Sequence, residues 1–550
     1  SKVTLTDGIK KSSTEAKSTY VTSYAYDSGF YSRAEREFYG FHTVTETRGS
    51  GSEAVSVVQT YENQSYYKKG LLLTSETRSG SSIGAIYVAS ENTYDVRSGA
   101  VSESQFPYLT KTVTKFYDVS SQTAAKTTTQ EYTSYDSYGN IQEYVDRADE
   151  GSADDVFASI RYDQSNDTEY IVNRPVSIEV KDQSNTVFRK RTASYERGTG
   201  NLKELSMLVQ GGTNAMWTFD YHTNGNLKTI TYPAGDPSHN KKSDGYRISY
   251  TYDTAVDIYV TSITDSFNYT STAEYDYGLG QPLKTRDINQ NWQANTYDEF
   301  GRLAFVYGPY DTNSSGAPVR DAALTFTYTQ ADVDENALIA TPASAVTRNK
   351  AESRLGSQSD TLDTVTFVDG MKRVFQTKKE SDVNGVHSMT VSGSVKYDTL
   401  GRVTQQGQPG YTVGVSYSYV SNLPMKNPTK FSYDTLDRTT RVETPDSKAP
   451  GGYAVTTSDY GFGTPPQGGN TMFKTVVKDP IGYLSSNKGV KVSYRDVHDK
   501  ILAVVEYNSS SPITTTYTYD LLNQITAVTD AKKNTTTITY DLLGRRLTIN

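Results

Sequence analysis

Along most of the chain, apolar or aromatic residues alternate with polar ones over short runs, and each run ends in a cluster of turn formers. A period of two is the signature of a β-strand, whose successive side chains point to opposite faces. The stretch Thr296-Tyr297-Asp298-Glu299-Phe300-Gly301-Arg302-Leu303 carries the pattern in full. It predicts a strand up to Tyr297, a turn from Asp298 to Gly301, and a second strand from Leu303. Asp suits the first turn position because its carboxylate accepts a local backbone N–H, and Gly suits the last because it tolerates positive φ without a Cβ clash.

The same phrase returns at Tyr94-Asp95, Tyr117-Asp118, Tyr162-Asp163, Tyr252-Asp253, Tyr275-Asp276 and Tyr519-Asp520. It is fullest at Tyr135-Asp136 with Gly139, Tyr297-Asp298 with Gly301 and Arg302, Tyr397-Asp398 with Gly401 and Arg402, and Tyr540-Asp541 with Gly544 and Arg545. These residues form the predicted structural turn motif. Weaker copies stand at Tyr195-Glu196 and Phe219-Asp220-Tyr221, and Asp437 replaces the glycine after Tyr433-Asp434. Past each turn, apolar residues such as Leu227 and Ile230, or Leu303 and Val306, are separated by an odd number of positions and so face opposite sides. The fold class expected is all-β: chained hairpins in a large curled sheet whose two faces meet different surroundings, with successive hairpins protecting each other's edges. Three stretches interrupt the pattern. The irregular region from Gly308 to Asp360 contains an Ala-rich patch from Asn336 to Ala345 that suits a short helix, Gly461 to Asn470 reads as an excursion, and Asp479-Pro480-Ile481-Gly482 reads as a further turn.

Composition supports a repeat architecture. At 550 residues the chain exceeds what one compact core organises. Tyrosine is present 45 times, tryptophan twice, and hydrophobic residues are only 35%, so burial relies on rings with a polar tip. A net charge of −8 without a basic run argues against nucleic acid as a partner. The absence of cysteine excludes disulfides and thiolate metal sites. No apolar run reaches the roughly 20 residues of a membrane span. The start lacks a signal-peptide shape and the end falls within a repeat, which suggests a fragment of a longer product.

Candidate chemistry is sparse. The acidic stretch from Asp146 to Asp155 gathers hard oxygen ligands, but its spacing misses the calcium loop of an EF-hand, and a solvated connection is expected. His42, His222, His239, His387 and His498 are scattered without paired zinc-binding spacing. No nucleophile elbow, phosphate loop or dinucleotide fingerprint occurs, and the recurring aspartates are explained by the turns. Arg302, Arg402 and Arg545 are placed to pair with the aspartate of their own turn, and Arg36 with Glu37 suits a surface ion pair. No catalytic, cofactor-binding or metal-binding residue is assigned.

The block from Tyr20 to Glu46 resembles the segment following the β-propeller in the B component of bacterial ABC-type (Tc) insecticidal toxins and SpvB-like proteins, and the stretches from Asn63 to Leu71 and from Val365 to Lys379 resemble the same family. The Tyr-Asp-x-x-Gly-Arg phrases resemble those of the RHS or YD-repeat family. The resemblance implies a hollow shell, or cocoon, that encapsulates a C-terminal toxic effector on the same or a separate chain. Further toxin-complex components are implied as partners, and a secreted or cell-surface location. It also implies a division into residues 1–120, like the segment after the propeller, and 121–550, the repeat shell. The family's autoproteolytic motif is not reached, so the chain is expected to be non-enzymatic and cofactor-free. A cell-surface adhesin or carbohydrate-binding protein is the alternative, because tyrosine-rich sheets can also meet sugars or proteins.

Overall fold

Alternation becomes strand over nearly the whole chain, because each Asp-x-x-Gly turn sends the backbone straight back beside the strand it has just left. The computed structural model describes residues 1–9, 18–98, 105–149, 151–164, 168–209, 212–233, 245–333, 339–351, 360–485, 488–508 and 511–550. Strands pair antiparallel with their neighbours in sequence, giving a 27-stranded sheet, a 12-stranded sheet and a small two-stranded one. The hairpin Trp292–Tyr297 with Leu303–Tyr307 shows the unit: Ala294 lies opposite Tyr307 and Asn295 opposite Val306, and the register then shifts between Thr296 and Tyr297. The same shift falls immediately before Tyr275, Tyr433, Tyr519 and Tyr540. An extra residue on one strand bends it and raises its twist, which re-aims the tyrosine at that point.

Burial is shallow. One apolar cluster joins Val346, Val365, Phe367 and Met389, and another joins Met472, Val490, Val492, Tyr494, Ala503 and Val505. Elsewhere many apolar residues are half-buried or exposed, and rings pair between neighbouring hairpin segments, as Tyr132 with Tyr144 at 5.4 Å and Tyr259 with Tyr275 at 4.8 Å. Such pairs add about 0.5–1.5 kcal/mol beyond area burial, so aromatic ladders do part of the work of a thick core.

Several expectations are corrected. A large curled sheet forming a hollow shell is not what the strands build. The large sheet is an open meander whose first strand, Lys2–Thr6, pairs only with Thr19–Ser32, and whose last, Gly410–Val413, pairs only with Val386–Ser392. Closure requires an edge strand to find a second partner, and among the described residues neither edge does. Apolar residues on both faces had suggested an enclosed side, but among the described residues they lie along an open sheet, where neighbouring rings pair with one another. The Ala-rich patch is not helical where described: Ile339–Thr341 and Ala343–Lys350 are strands, and Asn336 lies outside the described residues. Conversely, Asp479 caps a short helix, Pro480–Leu484, by accepting from the backbone N–H of Ile481 and Gly482. Pro at the first helical position leaves no donor unsatisfied there, so the stretch is no repeat turn.

Candidate functional site

The recurring turns are the most organised polar feature of the molecule. In the turn at Asp298, Oδ1 accepts from the backbone N–H of Phe300 at 3.0 Å and of Arg302 at 2.9 Å, while Oδ2 accepts from Arg302 Nε at 2.7 Å. The Gly301 N–H closes onto the Asp298 carbonyl at 2.9 Å, with Gly301 at φ 73°. The turns at Asp398 and Asp541 repeat this geometry through Arg402 and Arg545, with Gly401 and Gly544 at φ 86° and 83°. At Asp136 the side chain of Asn140 replaces the arginine at 2.9 Å, beside Gly139 at φ 90°. Burial acts to raise the Asp298 carboxyl, but the backbone and guanidinium hydrogen bonds of Arg302 outweigh it and hold the group below the usual carboxylate range.

Each turn is tied to the hairpin before it. The Tyr135 hydroxyl donates to the Leu109 carbonyl at 2.6 Å, Tyr297 to Pro282 at 2.8 Å, Tyr433 to Val403 at 2.8 Å and Tyr540 to Ile525 at 2.9 Å. In the last three cases the acceptor is the second residue past the glycine position of the preceding turn. Burial pushes the Tyr135 and Tyr297 phenols up, so they remain protonated donors. The turn arginines reach forward instead: Arg302 lies 4.4 Å from the ring of Tyr328, Arg373 4.4 Å from Tyr397 and Arg402 4.9 Å from Tyr433. A hydroxyl reaching back and a guanidinium reaching forward lock successive hairpins in register. The tyrosine tie was not read from the sequence: the donor and acceptor stand 15 to 30 residues apart, and what recurs in three of the four is only the acceptor's place two residues past the glycine position.

The later turns also touch the early strands. Arg373 Nη1 donates to the Tyr20 hydroxyl at 3.1 Å across 353 residues, the Ser50 N–H donates to Thr399 Oγ1 at 3.3 Å across 349, and His498 Nε2 lies 3.4 Å from Asp146 Oδ2 across 352. Phe116 and Phe473 meet edge-on at 5.0 Å. Because the separation stays nearly constant, late turns follow early strands in the same order. Asp146 thus belongs to a contact between distant hairpins, and its acidic stretch is paired: Arg147 bonds Asp155 at 2.8 Å, and Lys126 pairs with Asp149. Among the described residues no group of His, Asp and Glu suited to a metal ion is present. Glu37 pairs with Lys69, which replaces the expected Arg36–Glu37 contact. His239 lies outside the described residues.

These strands and turns define a class of architecture, an all-β chain of YD-type hairpins. A family model of the insecticide toxin TcdB middle/N-terminal region matches residues 1–70. Crystal structures of TcdB2-TccC3, and of the same pair without its hypervariable C-terminal region, are similar over 97% of this chain, each with a TM-score of 0.73 and at 13% and 14% identity. A Photorhabdus luminescens Tc holotoxin pore is similar over 96%, with a TM-score of 0.71 and 12% identity. The chain therefore has the fold of part of these proteins, and it spans only 36–38% of their length. No match was found among curated protein sequences.

Proposed function

We propose that the chain is a non-enzymatic wall segment of a secreted Tc-toxin-like protein, and that with the rest of such an assembly it sequesters a toxic effector. One observation carries the reading: the fold correspondence with TcdB2-TccC3 extends over 97% of the chain. The match of residues 1–70 to the TcdB middle/N-terminal region supports it independently. Residues 1–120 would then correspond to the segment that follows a propeller, and 121–550 to the hairpin wall. In this role the turn residues from Tyr135 to Arg545 are structural, since their hydrogen bonds are made within the turns and to the preceding hairpins. The open edges of the sheet fit a wall completed by further hairpins, on the same polypeptide or a partner. Extracellular action is part of this reading. No described helix is long and apolar enough to cross a membrane.

The test is protease protection. The full gene product, or this chain co-purified with its toxin-complex partner, should hold the effector domain resistant to a protease that cuts the same domain readily when alone. Equal cleavage in both states would sink sequestration and leave an adhesive role for the tyrosine-rich surface.

A further inference from the structure

Two lysine–aspartate pairs are withdrawn from water, and they differ in one respect. Lys350 and Asp311 are 1% and 2% exposed, but Asp311 Oδ2 accepts the Gly308 N–H at 3.0 Å and Lys350 Nζ donates to the Asp321 carbonyl at 3.1 Å. Those bonds give the buried polar atoms of the pair partners beyond each other. Lys126 and Asp149 are 5% and 3% exposed, and among the described residues no hydrogen bond supports the Asp149 carboxylate apart from its contact with Lys126. A third carboxylate stands beside this pair: buried Asp154, whose Oδ2 accepts the Asp149 N–H at 3.2 Å. The neighbouring cation, Arg147, is engaged at 2.8 Å with both Glu131 and Asp155.

We propose that Lys126 and Asp149 join through a self-formed side-chain amide, with Asp154 as proton relay. A carboxylate this far from water, with no hydrogen bond of its own among the described residues, is poorly supported as a charge, and transfer of one proton from Nζ to it yields a neutral amine and a neutral acid. The free amine attacks Cγ of Asp149 and the C–N bond forms. Its surplus proton passes to the Asp154 carboxylate, which returns it to the departing hydroxyl as the C–O bond breaks and water leaves. Amine and carboxylic acid give amide and water, with no oxidation and no co-reactant. The bond ties strand Thr123–Tyr135 to the connection after Ile141–Arg147, next to the point where Asp146 meets His498. In a chain without cysteine it supplies a covalent tie that reducing conditions cannot open.

Intact-mass measurement on the folded, purified chain tests this, followed by peptide mapping after denaturation and digestion. The expected mass is one water below that of the sequence, with the Lys126 and Asp149 peptides recovered as one branched species. Lys126→Arg should restore the sequence mass, and Lys350→Met should leave the water loss intact. Asp149→Asn should still cross-link, releasing ammonia in place of water. Asp154→Asn should slow the reaction by about 100-fold, the scale of a lost general acid–base group. The wild-type chain at its full sequence mass overturns the proposal whether or not any variant folds. So does a water loss confined to a linear peptide, since Asp7-Gly8 and Asp369-Gly370 can cyclise to succinimides. Cross-linking of Asp154→Asn at the wild-type rate overturns the relay.

Discussion

His498 meets Asp146 at 3.4 Å although 352 residues separate them, and the contact bridges a late turn and an early strand end. The hydrogen bond to Asp146 raises the imidazole above its ordinary value of 6.5; burial and Lys500 oppose the shift, and Asp496 adds to it. A folded-state value above the unfolded one means that the contact's contribution is fully present below the unfolded value and fades as pH rises through the folded one. Stability should therefore fall from about pH 5.5 to about pH 8.5 by about 1 kcal/mol or less, the range of a partly exposed pair. His498→Ala should flatten this component in denaturant titrations at the two pH values. An unchanged slope would show that the pair is not coupled to folding.

The turn glycine is a second point of leverage. Gly301 has φ 73°, and the nearest atom to a Cβ there would be Leu279 Cδ2 at 3.5 Å, so space is adequate and the strain is in the backbone. Gly301→Val should cost about 1 kcal/mol or more. Gly301→Asn should cost much less, because Asn523 already holds the equivalent position at φ 65°. Hydrogen exchange in the hairpin 292–307 distinguishes the two, and equal protection in both variants would refute the assignment.

The tyrosine ties are unequal. Tyr433 is the donor to the Val403 carbonyl at 2.8 Å, whereas the Pro282 carbonyl receives both Tyr297 at 2.8 Å and Asn295 Nδ2 at 3.1 Å. Removing a hydroxyl costs most when it strands its acceptor. Tyr433→Phe should thus destabilise its hairpin by about 1 kcal/mol, and Tyr297→Phe by distinctly less. Local exchange rates around residues 403 and 282 provide the comparison, and a larger effect at Tyr297 would contradict the account.

How far the sequence carried these features depends on their range. The turn at Asp298 was legible because Asp, Gly and the alternation around them act within one hairpin. The Asp479 stretch misled because Asp before Pro serves a turn and a helix cap equally well, and only the backbone beyond decides between them. A curled, closed sheet was expected from apolar residues on both faces, but closure depends on whether Lys2–Thr6 finds a second partner, and no local pattern encodes that. The ties from Tyr433 to Val403 and from Arg402 to Tyr433 join neighbouring hairpins, but the connection between hairpins varies in length, so only the acceptor's place two residues past the turn glycine was readable. Contacts such as Thr399 with Glu53 across 346 residues lie beyond the reach of any local pattern.

That contact supports the most stringent test of how late turns seat on early strands. Gly49 and Gly51 flank Ser50 and both have positive φ, 75° and 64°. A Cβ on Gly51 would meet nothing within 4 Å, while one on Gly49 would lie 2.7 Å from Leu400 Cδ2 and 3.0 Å from Thr399 Oγ1. Gly51→Ala therefore measures backbone strain alone, about 1 kcal/mol. Gly49→Ala should add the cost of overpacking, about 1–3 kcal/mol, because the leucine must move. Leu400→Ala in the Gly49→Ala background should recover part of that excess, whereas in the Gly51→Ala background it should recover none. The double-mutant cycle isolates the interaction between residues that share only this packing. If Gly49→Ala costs no more than Gly51→Ala, the turn at Asp398 does not rest on residues 49–53 in solution, and the seating of late turns on early strands fails with it.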